Sequence, residues 1–429
     1  MKSLLKAPVA GSLAVLSRMI IRKYRPQIVM ITGSVGKTST KDAVAAMLAE
    51  HTTLRASEKS YNSEFGVPFT IIGVKNPWTS LFAWAEVFCE ALRLIIFPVV
   101  YPKALVLEVG ADRPGDLARI LRIATPDAVV VTRLPDVPVH VEAYATPAAV
   151  RQEEFAPAYA LATGAPLILS SRDTHAREMA KNTQARVTLF GFSDDADIHI
   201  SEPTVAFEGD RPVGMQARAT VGKKSCTLLA RGALGRPQIL APAAALATAV
   251  ALGVPLEEAR AGLTHYVPPA GRGRLLRGSA GSVLIDESYN SSPAATEESL
   301  EALALLTHAK RRIAVLGDML ELGRYSRTEH ERIGTRAATL ATMLIAVGPR
   351  AKAMCAAALA SGMAPLQVQC AETTHEAVGV LQSLVQEGDA ILIKGSQSMR
   401  MERIAEALLA DPTDAVFLVR QEKEWKRKK

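Results

Sequence analysis

Cysteine is scarce in this sequence, which has four cysteines among 429 residues. They are Cys89, Cys226, Cys355 and Cys370, and no two of them form a C-x-x-C pair. This spacing predicts neither a disulfide framework nor a cysteine zinc site, and it favours a reducing compartment. The first residues show no secretory signal with a cleavage site. We therefore expect a cytoplasmic protein.

Neither sign of charge dominates, because 43 Asp and Glu residues balance most of the 50 Lys and Arg residues and leave a net charge of +7. Part of the excess lies in residues 422–429, which we interpret as a solvated chain end. Aromatic residues make up 5% of the chain, and no basic stripe with interleaved aromatics is present. The composition therefore argues against nucleic acid as a partner.

No apolar run is both long enough and free enough of charge to predict a membrane span. The most apolar stretches are residues 4–21 and 78–97. In the second stretch, Glu86, Glu90 and Arg93 form one polar stripe at helical spacing. This pattern predicts a helix that faces the core and has one solvated edge. Weak peripheral contact with a membrane is the alternative.

Strand and helix patterns alternate along the chain, which predicts an α/β fold. A chain of 429 residues is too long for one core, so we expect two or three domains. Residues 267–274, rich in Pro and Gly, form the best linker. We expect an N-terminal helix over 1–24, a central domain over 25–269 and a C-terminal domain over 270–429. The predicted strands are 27–32, 104–109, 128–132, 166–170, 186–190, 282–285, 312–316, 343–347 and 390–393, with a β-rich segment at 197–231.

A phosphate-binding loop is predicted at residues 32–40, between an apolar strand and a helical pattern. Gly33 and Gly36 let backbone N–H groups turn toward an anion, and the helix N-terminus adds partial positive charge. Lys37 can reach β- and γ-phosphates, and the Thr38 hydroxyl can bind Mg²⁺. The alternative is a glycine–serine turn that contains a lysine by chance.

Two further polar side chains follow predicted strands of the same sheet. Glu108 ends the apolar strand 104–109, where a carboxylate can bind a metal or orient water in phosphate chemistry. A solvated strand end is the alternative. His140 follows the strand 128–132, and a metal or substrate contact and a bystander role are equal alternatives for it.

Three polar turns in the second half of the chain also follow predicted strands. They are D-E-S-Y-N-S-S-P at 286–293, L-G-D-M-L-E-L-G at 316–323 and I-K-G-S at 393–396. Each alone could be ordinary turn chemistry. Together they predict one rim facing a ligand, because ligands bind at the carboxyl ends of the strands of an open α/β sheet.

These motifs resemble the Mur ligase family, and most closely its MurF type. The resemblance also rests on T-G-S-V-G-K-T at 32–38, Y-N-S-E-F-G-V-P at 61–68, L-E-V-G-A-D-R-P-G-D at 107–116, V-H at 139–140 and G-R at 271–272. In the first of these, Ile31 stands where an ordinary Walker A loop has its first glycine. The resemblance implies a central P-loop domain followed by a Rossmann-like C-terminal domain.

The resemblance also implies an ATP- and Mg²⁺-dependent amide ligase. A substrate carboxylate attacks the γ-phosphate, and an amine then displaces phosphate from the acyl phosphate. The implied catalytic residues are Lys37, Glu108, His140, Arg272 and Lys394, with Thr38, Glu108 and His140 on the metal side. The implied nucleotide contacts are Gly33, Ser34, Gly36, Lys37, Thr38, Ser39, Asp286, Asn290 and Asp318. Lys394 and Ser396 are implied to face the incoming amine or its carboxylate.

The implied substrates are a UDP-N-acetylmuramoyl-tripeptide and D-alanyl-D-alanine, in peptidoglycan precursor synthesis by a monomer. Only 31 residues precede Thr32, fewer than the family's uridine-nucleotide domain needs. This departure leaves two alternatives open. One is a Mur-type ligase that acts on another carboxylate, such as a lipid-linked one, and the other is a nucleotide-binding relative without ligase activity.

Three more departures concern the metal and the adenine. Residues 148–155 contain no lysine where the family carries one that is carbamylated for metal binding, and Glu153 or Glu154 could supply a carboxylate instead. The family's H-N-x-x-N element is missing before the alanine-rich helix, where Gln238 could contact adenine. Arg133 replaces the asparagine expected after the third strand of the central domain.

Overall fold

The computed structural model describes residues 3–58, 61–78 and 80–426, and its helices and strands alternate as expected for an α/β protein. The strands are β1 (Gln27–Thr32), β2 (Leu54–Ala56), β3 (Ala104–Glu108), β4 (Ala128–Val131), β5 (Pro166–Ser170), β6 (Arg186–Gly191), β7 (Ile198–Glu208), β8 (Arg211–Val221), β9 (Lys224–Arg231), β10 (Arg274–Arg277), β11 (Val283–Glu287), β12 (Arg311–Gly317), β13 (Met343–Val347), β14 (Val368–Ala371) and β15 (Asp389–Lys394). The helices are α1 (Ser3–Tyr24), α2 (Lys37–Ala49), α3 (Gly66–Ile72), α4 (Leu81–Ile96), α5 (Asp116–Leu121), α6 (Pro147–Tyr159), α7 (Thr174–Ala180), α8 (Arg236–Ala251), α9 (Leu256–Leu263), α10 (Pro293–Ala304), α11 (Ser326–Leu340), α12 (Lys352–Ala360), α13 (Thr374–Leu384), α14 (Glu402–Ala407) and α15 (Lys423–Lys426).

The first sheet has nine strands in the order β2-β3-β1-β4-β5-β6-β7-β8-β9. Strands β1 to β7 run parallel to one another, and β8 and β9 follow β7 at the edge as an antiparallel meander. Strands β1, β3 and β4 are continuous apolar runs, because helices cover both faces of this part of the sheet. The carboxyl end of β1 lies between β3 and β4, the usual ligand-binding position of an open α/β sheet.

Helix α8 fills the space between the first sheet and helices α2 and α9. Twelve of its 16 residues are buried, and most of these are alanines. Small side chains let a helix backbone approach its neighbours closely while still removing apolar surface from water. This packing holds α2, the helix that follows the phosphate loop, against the sheet.

The second sheet has six strands in the order β10-β11-β15-β12-β13-β14, and all of them lie beyond the Pro- and Gly-rich segment. Strand β10 runs antiparallel to β11, and the other neighbours are parallel. The predicted strands from both halves of the chain are confirmed. Strands β2, β10 and β14 were missed, because runs of three or four residues at a sheet edge are too short to show a period.

Two sequence-based expectations need correction. The structure contains one disulfide, between Cys355 in α12 and Cys370 in β14, which the prediction of no disulfide framework did not foresee. The prediction considered only C-x-x-C spacing, whereas these cysteines are 15 residues apart and meet because α12 packs beside β14. Helix α4 buries a narrower face than expected, since Leu81 and Ile96 are exposed together with the polar stripe.

Across the ranges that the structure describes, no helix is long and apolar enough to cross a lipid bilayer.

Candidate active site

The phosphate loop joins β1 to α2 and is built around two glycines with positive φ. Gly33 has φ +116°, and a Cβ there would lie 2.5 Å from the Thr132 hydroxyl oxygen at the end of β4. Gly36 has φ +86° and immediately precedes the first residue of α2. Any side chain at Gly33 would therefore push β1 and β4 apart. The positive φ angles of both glycines also turn backbone N–H groups toward the N-terminus of α2, where an anion binds.

Lys37 lies across the phosphate loop, and its Nζ donates to the Gly33 carbonyl oxygen at 2.5 Å. Burial raises the pKa of Glu108 and of Glu154, and the Lys37 charge opposes both shifts. The same charge opposes the rise in the pKa of His140 that Glu321 and Asp112 cause. The ammonium group is thus at the centre of the polar cluster, as its predicted role at the β- and γ-phosphates requires.

Thr38 and Glu108 have the properties expected of Mg²⁺ ligands. The Thr38 hydroxyl and one carboxylate oxygen of Glu108 are buried, the two side chains lie beside each other, and neither of these two atoms has a partner beyond this pair. Burial raises the pKa of Glu108 although the charges of Lys37, Lys41 and Arg272 lower it. Hard oxygen donors that lack other partners fit Mg²⁺, which also keeps water and phosphate ligands.

Among the described residues, no group of three or more His, Cys, Asp and Glu side chains is arranged to hold a metal ion. In nucleotide sites Mg²⁺ usually has few side-chain ligands, because phosphates and water complete its coordination. Magnesium held in this way would supply positive charge beside the phosphates.

His140 is engaged by carboxylates from both halves of the chain. Its Nδ1 lies 2.6 Å from Glu321 of the second half, and its Nε2 lies 3.5 Å from Asp112. Burial alone would lower the pKa of His140, but the hydrogen bond to Glu321 and the two carboxylate charges raise it. The imidazole thus lies between carboxylates of the two halves, and its role as a metal ligand stays a prediction.

Glu154 is the carboxylate that α6 brings under the phosphate loop. It is 4% exposed, and its Oε2 accepts a hydrogen bond from the Ser34 hydroxyl at 2.5 Å. Burial raises the pKa of Glu154, opposed by Lys37, the Ser34 hydrogen bond and His140. The neighbouring Glu153 instead accepts a hydrogen bond from the Leu117 backbone N–H. Of the two candidates from the sequence, only Glu154 therefore touches the phosphate loop.

Arg272 and Lys394 approach the phosphate loop from the second half of the chain. Both border a cavity of about 40 Å³ that Gly36 and Ser39 also line. The Arg272 guanidinium stacks over the Tyr289 ring at 4.2 Å. Sequence reasoning missed this aromatic support, although Tyr289 belongs to the polar turn that it singled out.

Lys394 is buried and fixed by two acceptors. Its Nζ lies 3.1 Å from a Glu287 carboxylate oxygen and 3.1 Å from the Asn290 carbonyl oxygen. Glu287 also borders the 40 Å³ cavity, so an acid and a base face the phosphate loop as a pair. Sequence reasoning missed Glu287, because nothing in its local pattern distinguishes it from Asp286.

Three predicted nucleotide contacts do not border this cavity. Asp318 accepts a hydrogen bond from the Ala351 N–H at 2.7 Å, and Asn290 accepts one from the Gln397 N–H at 3.3 Å. Asp286 is fully buried, and burial raises its pKa to about 6. One of its oxygens accepts from the Ser288 N–H at 3.1 Å, and the other has no partner. These three side chains support the turns of the second sheet.

The amide of Gln238 reaches the phosphate cavity from α8. It is 3% exposed, and its Oε1 has no hydrogen-bond partner. A polar cavity of about 450 Å³ lies nearby and shares Glu298 with the phosphate cavity. Arg133 forms an ion pair with Glu298 at this point. Gln238 and Arg133, which were singled out where the family's asparagines are missing, thus lie at or between the two cavities.

Comparisons with known proteins agree with this arrangement. Sequence profiles of two families match, the Mur ligase middle domain over residues 31–87 and the Mur ligase, glutamate ligase domain over residues 271–397. The UDP-N-acetylmuramoyl-tripeptide–D-alanyl-D-alanine ligase of Mycobacterium tuberculosis (strain ATCC 25618 / H37Rv) is 30% identical over 408 residues, which cover 90% of this chain and 73% of that relative. The Escherichia coli (strain K12) ligase of the same name is 25% identical over 405 residues, covering 92% and 79%.

Solved structures show the same fold. The MurF ligase of Thermotoga maritima in complex with ADP has a TM-score of 0.75 at 24% identity, covering 93% of this chain and 83% of that chain. A folylpolyglutamate synthase of Mycobacterium tuberculosis in complex with ADP and AMPPCP has a TM-score of 0.65 at 17% identity, covering 92% and 95%. The predicted central P-loop domain followed by a C-terminal ligase domain is confirmed. The chain therefore belongs to the Mur ligase family, in its MurF type, and is an ATP- and Mg²⁺-dependent ligase that forms ADP.

Proposed function

We propose that this protein joins the carboxylate of a peptide-bearing acceptor to the amine of a dipeptide, the MurF reaction of peptidoglycan precursor synthesis. The observation that carries the proposal is the convergence of the phosphate loop from one half of the chain with Arg272 and Lys394 from the other, since Gly36 and Ser39 share a cavity with both and Thr38 shares a second cavity with Arg272. The curated relatives are named for a UDP-N-acetylmuramoyl-tripeptide and D-alanyl-D-alanine. We propose this substrate pair for the present chain.

In the first step, an acceptor carboxylate oxygen bonds to the γ-phosphorus while the bond to the ADP oxygen breaks. Charge builds on the transferred phosphoryl group, so fixed cations accelerate the step. We assign this role to Lys37 and Arg272, since both act on the buried Glu108. Thr38 and Glu108 are proposed to hold the Mg²⁺.

In the second step, the amine nitrogen bonds to the acyl carbon and inorganic phosphate leaves. We propose that Lys394 and Ser396 orient the amine substrate, since both are buried at the carboxyl end of β15. Glu287, paired with Lys394 at 3.1 Å, is positioned to accept the proton that the amine loses.

The nucleotide base is proposed to enter the 450 Å³ cavity. Arg236 at the start of α8 and Arg172 lie over the Phe192 ring at 5.9 and 5.3 Å, and all three residues line this cavity. Flat cationic and aromatic groups suit a purine by stacking. Gln238 would contact the nucleotide where the two cavities approach each other.

We further propose the domain division 1–24, 25–269 and 270–429, because the strands of the two sheets lie on either side of residues 232–273. Within this division, helix α1 of the first segment packs on α3 and α4 of the central domain. A monomer is proposed, since both sides of the phosphate cavity come from one chain.

The test is ADP release by the purified chain with UDP-N-acetylmuramoyl-tripeptide and D-alanyl-D-alanine, supplied separately and together. We expect release that needs both substrates and Mg²⁺, and that falls at least about 100-fold in Lys37→Ala. Folded wild-type protein that binds ADP and turns over ATP only with other carboxylates would refute this substrate pair.

A further inference from the structure

A segment near the end of the chain, residues 418–421, packs against the linker and against the turn that follows β11. A Cβ at Gly271 of the linker would lie 2.8 Å from the Val419 Cγ1 atom and 3.0 Å from the Tyr289 backbone nitrogen. The three pieces of chain therefore meet with no free space between them. Arg272 is the next residue of the linker and borders the phosphate cavity. The junction thus lies directly beside the active site.

Arg420 binds the main chain of this turn through both ends of its guanidinium group. Its Nη1 donates to the Ser288 carbonyl oxygen at 3.1 Å, and its Nη2 donates to the Tyr289 carbonyl oxygen. The residue is buried, and its backbone has φ +60°, a conformation that an arginine keeps only where its surroundings hold it. Two donors in a rigid fork fix two consecutive carbonyl groups more strictly than a single hydrogen bond would.

Glu402 of α14 supplies the opposite charge for Arg420. One of its oxygens accepts from Arg420 Nη1 at 2.9 Å, and the other accepts from Arg400 Nε at 2.5 Å. The carboxylate is 1% exposed, so separating it from its partners would leave an uncompensated buried charge. The support of the turn at 288–289 therefore begins in α14 and passes through Arg420.

The Tyr289 ring connects this support to Arg272. The Arg272 guanidinium lies 4.2 Å from the ring centroid, and the Arg420 guanidinium lies 5.7 Å from it. Among the residues that the structure describes, no hydrogen bond or ion pair holds the Arg272 guanidinium. Its position therefore depends on the ring, and the position of the ring depends on the turn that Arg420 binds.

We propose that Arg420 is a positioning residue for phosphoryl transfer. It does not border the phosphate cavity, and it acts through Tyr289, whose ring places the Arg272 guanidinium beside the transferred phosphate. This inference rests on the proposed role of Arg272 in the first step, and it extends the active site to the C-terminal segment. A cation stabilises the transition state best when its position is fixed in advance, since a displacement of about 1 Å can cost roughly 100-fold in rate.

The experiment is a double-mutant cycle on steady-state ADP release with Arg420→Gln, Arg272→Gln and the double variant. We expect Arg420→Gln alone to lower kcat about 10–100-fold and to leave the KM for ATP nearly unchanged, because Arg272 acts on the transferred phosphoryl group. In the Arg272→Gln background, the same replacement should change kcat by less than about twofold, since no cation is left to position. Equal fold losses in both backgrounds would overturn the inference.

Arg311→Gln is the matched control for stability. Arg311 binds the buried Asp389 through Nε at 2.8 Å and Nη2 at 2.6 Å, at the amino ends of β12 and β15. Each replacement takes an arginine from a buried carboxylate, so both should lower the melting temperature. Only Arg420→Gln should lower kcat. A similar loss of kcat in Arg311→Gln would show that Arg420 acts through stability alone.

Tyr289 gives a second test that leaves Arg420 in place. Tyr289→Phe keeps the ring over which Arg272 stacks, so its kcat should stay within about threefold of the wild-type value. Tyr289→Leu removes the ring and should lower kcat as Arg420→Gln does. Equal activity of the two Tyr289 variants would contradict the connection through the ring.

Calorimetric titration separates this inference from the proposed function. Beryllium fluoride added with ADP occupies the γ-phosphate position without either substrate. We expect Arg420→Gln and Arg272→Gln to bind ADP as the wild type does and to lose the affinity that beryllium fluoride adds. A wild-type gain in Arg420→Gln would remove the present inference alone. If the wild type shows this gain but releases no ADP with the proposed substrates, the substrate pair alone is removed.

Discussion

At the scale of single residues, Glu154 carries the most specific prediction. Its buried carboxylate lies between the Ser34 hydroxyl and the charges of Lys37 and His140. We expect Glu154→Gln, which keeps shape and hydrogen bonding but removes charge, to lower kcat about 10–100-fold, the usual effect of losing a charge that supports a metal site.

The matched control for this prediction is Glu153→Gln. Glu153 holds the Leu117 N–H at 2.9 Å and does not contact the phosphate loop. We expect the kcat of Glu153→Gln to stay close to the wild-type value. Steady-state ADP release across Mg²⁺ concentrations measures both variants, and equal losses in the two would show that Glu154 has no special role.

Asp286 supports a prediction about pH and stability. Burial raises its pKa to about 6, well above the ordinary value of 3.8. The folded chain therefore binds more protons than the unfolded chain between these values, so this group lowers stability as pH rises through the window. The variant Asp286→Asn lacks this titrating group. We therefore expect its free energy of unfolding to rise relative to that of the wild type by roughly 2–3 kcal/mol as the pH is raised from about 4 to about 7. Urea unfolding at both pH values measures the difference, and a pH-independent effect would contradict it.

The residue chemistry of the phosphate loop could be predicted because its functional residues all lie within the short segment 33–38. Their spacing there is typical of a phosphate-binding loop. Glu154 could be named only as one of two alternatives, since its partner Ser34 is 120 positions away in the chain. The Arg272–Tyr289 stack and the Lys394–Glu287 pair depend on how the linker and β11 meet β15. Sequence patterns do not contain that geometry.

At the scale of elements, close helix packing gives a matched pair of glycine substitutions. A Cβ at Gly334 of α11 would lie 2.3 Å from the Met354 carbonyl oxygen of α12. We expect Gly334→Ala to force the helices apart and to cost about 1–3 kcal/mol, as overpacking does.

Gly379 of α13 is the control, because a Cβ there meets no atom within 4 Å. Gly379→Ala should be neutral or stabilising by up to about 1 kcal/mol, since alanine favours the helix. Thermal unfolding followed by circular dichroism compares the two variants, and equal melting temperatures would contradict the packing argument.

Elements were predictable where the apolar run was long. Strands β3, β4 and β15 are buried throughout and β1 is buried after its first residue, so continuous apolar sequence identified them. Helix α4 was harder, because its sequence is apolar on more than one face. Which of those faces packs against α1 and α3 is decided by tertiary contacts.

At the scale of the whole molecule, the two halves are closed on each other. The phosphate cavity of about 40 Å³ is far smaller than the roughly 300–1,000 Å³ of ordinary ligand sites. Two ion pairs, His140–Glu321 and Arg133–Glu298, join the halves around it. We therefore expect these pairs to separate when a nucleotide enters, so that opening of the two halves is part of the catalytic cycle.

The double variant Arg133→Gln/Glu321→Gln tests this closure. We expect a larger radius of gyration in small-angle X-ray scattering and a return toward the wild-type value with ATP and Mg²⁺. Arg327→Gln removes an exposed pair within α11 and should leave the radius unchanged. An unchanged radius in the double variant would mean that other contacts hold the halves together.

The same closure should depend on pH in the wild type. The pKa of His140 is raised by its carboxylates, and that of Glu321 is lowered by His140. The pair is therefore complete between the two shifted values, and it is lost as pH rises through the raised His140 pKa or falls through the lowered Glu321 pKa. Scattering across this range measures the opening.

The separation of the two sheets along the chain has a consequence for how the protein is made. Every strand of the nine-stranded sheet comes from residues 27–231, and every strand of the six-stranded sheet comes from residues 274–394. The ribosome therefore delivers the first sheet complete before the second begins to emerge. Since domains generally fold as units during synthesis, the phosphate loop is expected to form on the nascent chain well before the residues that close over it exist.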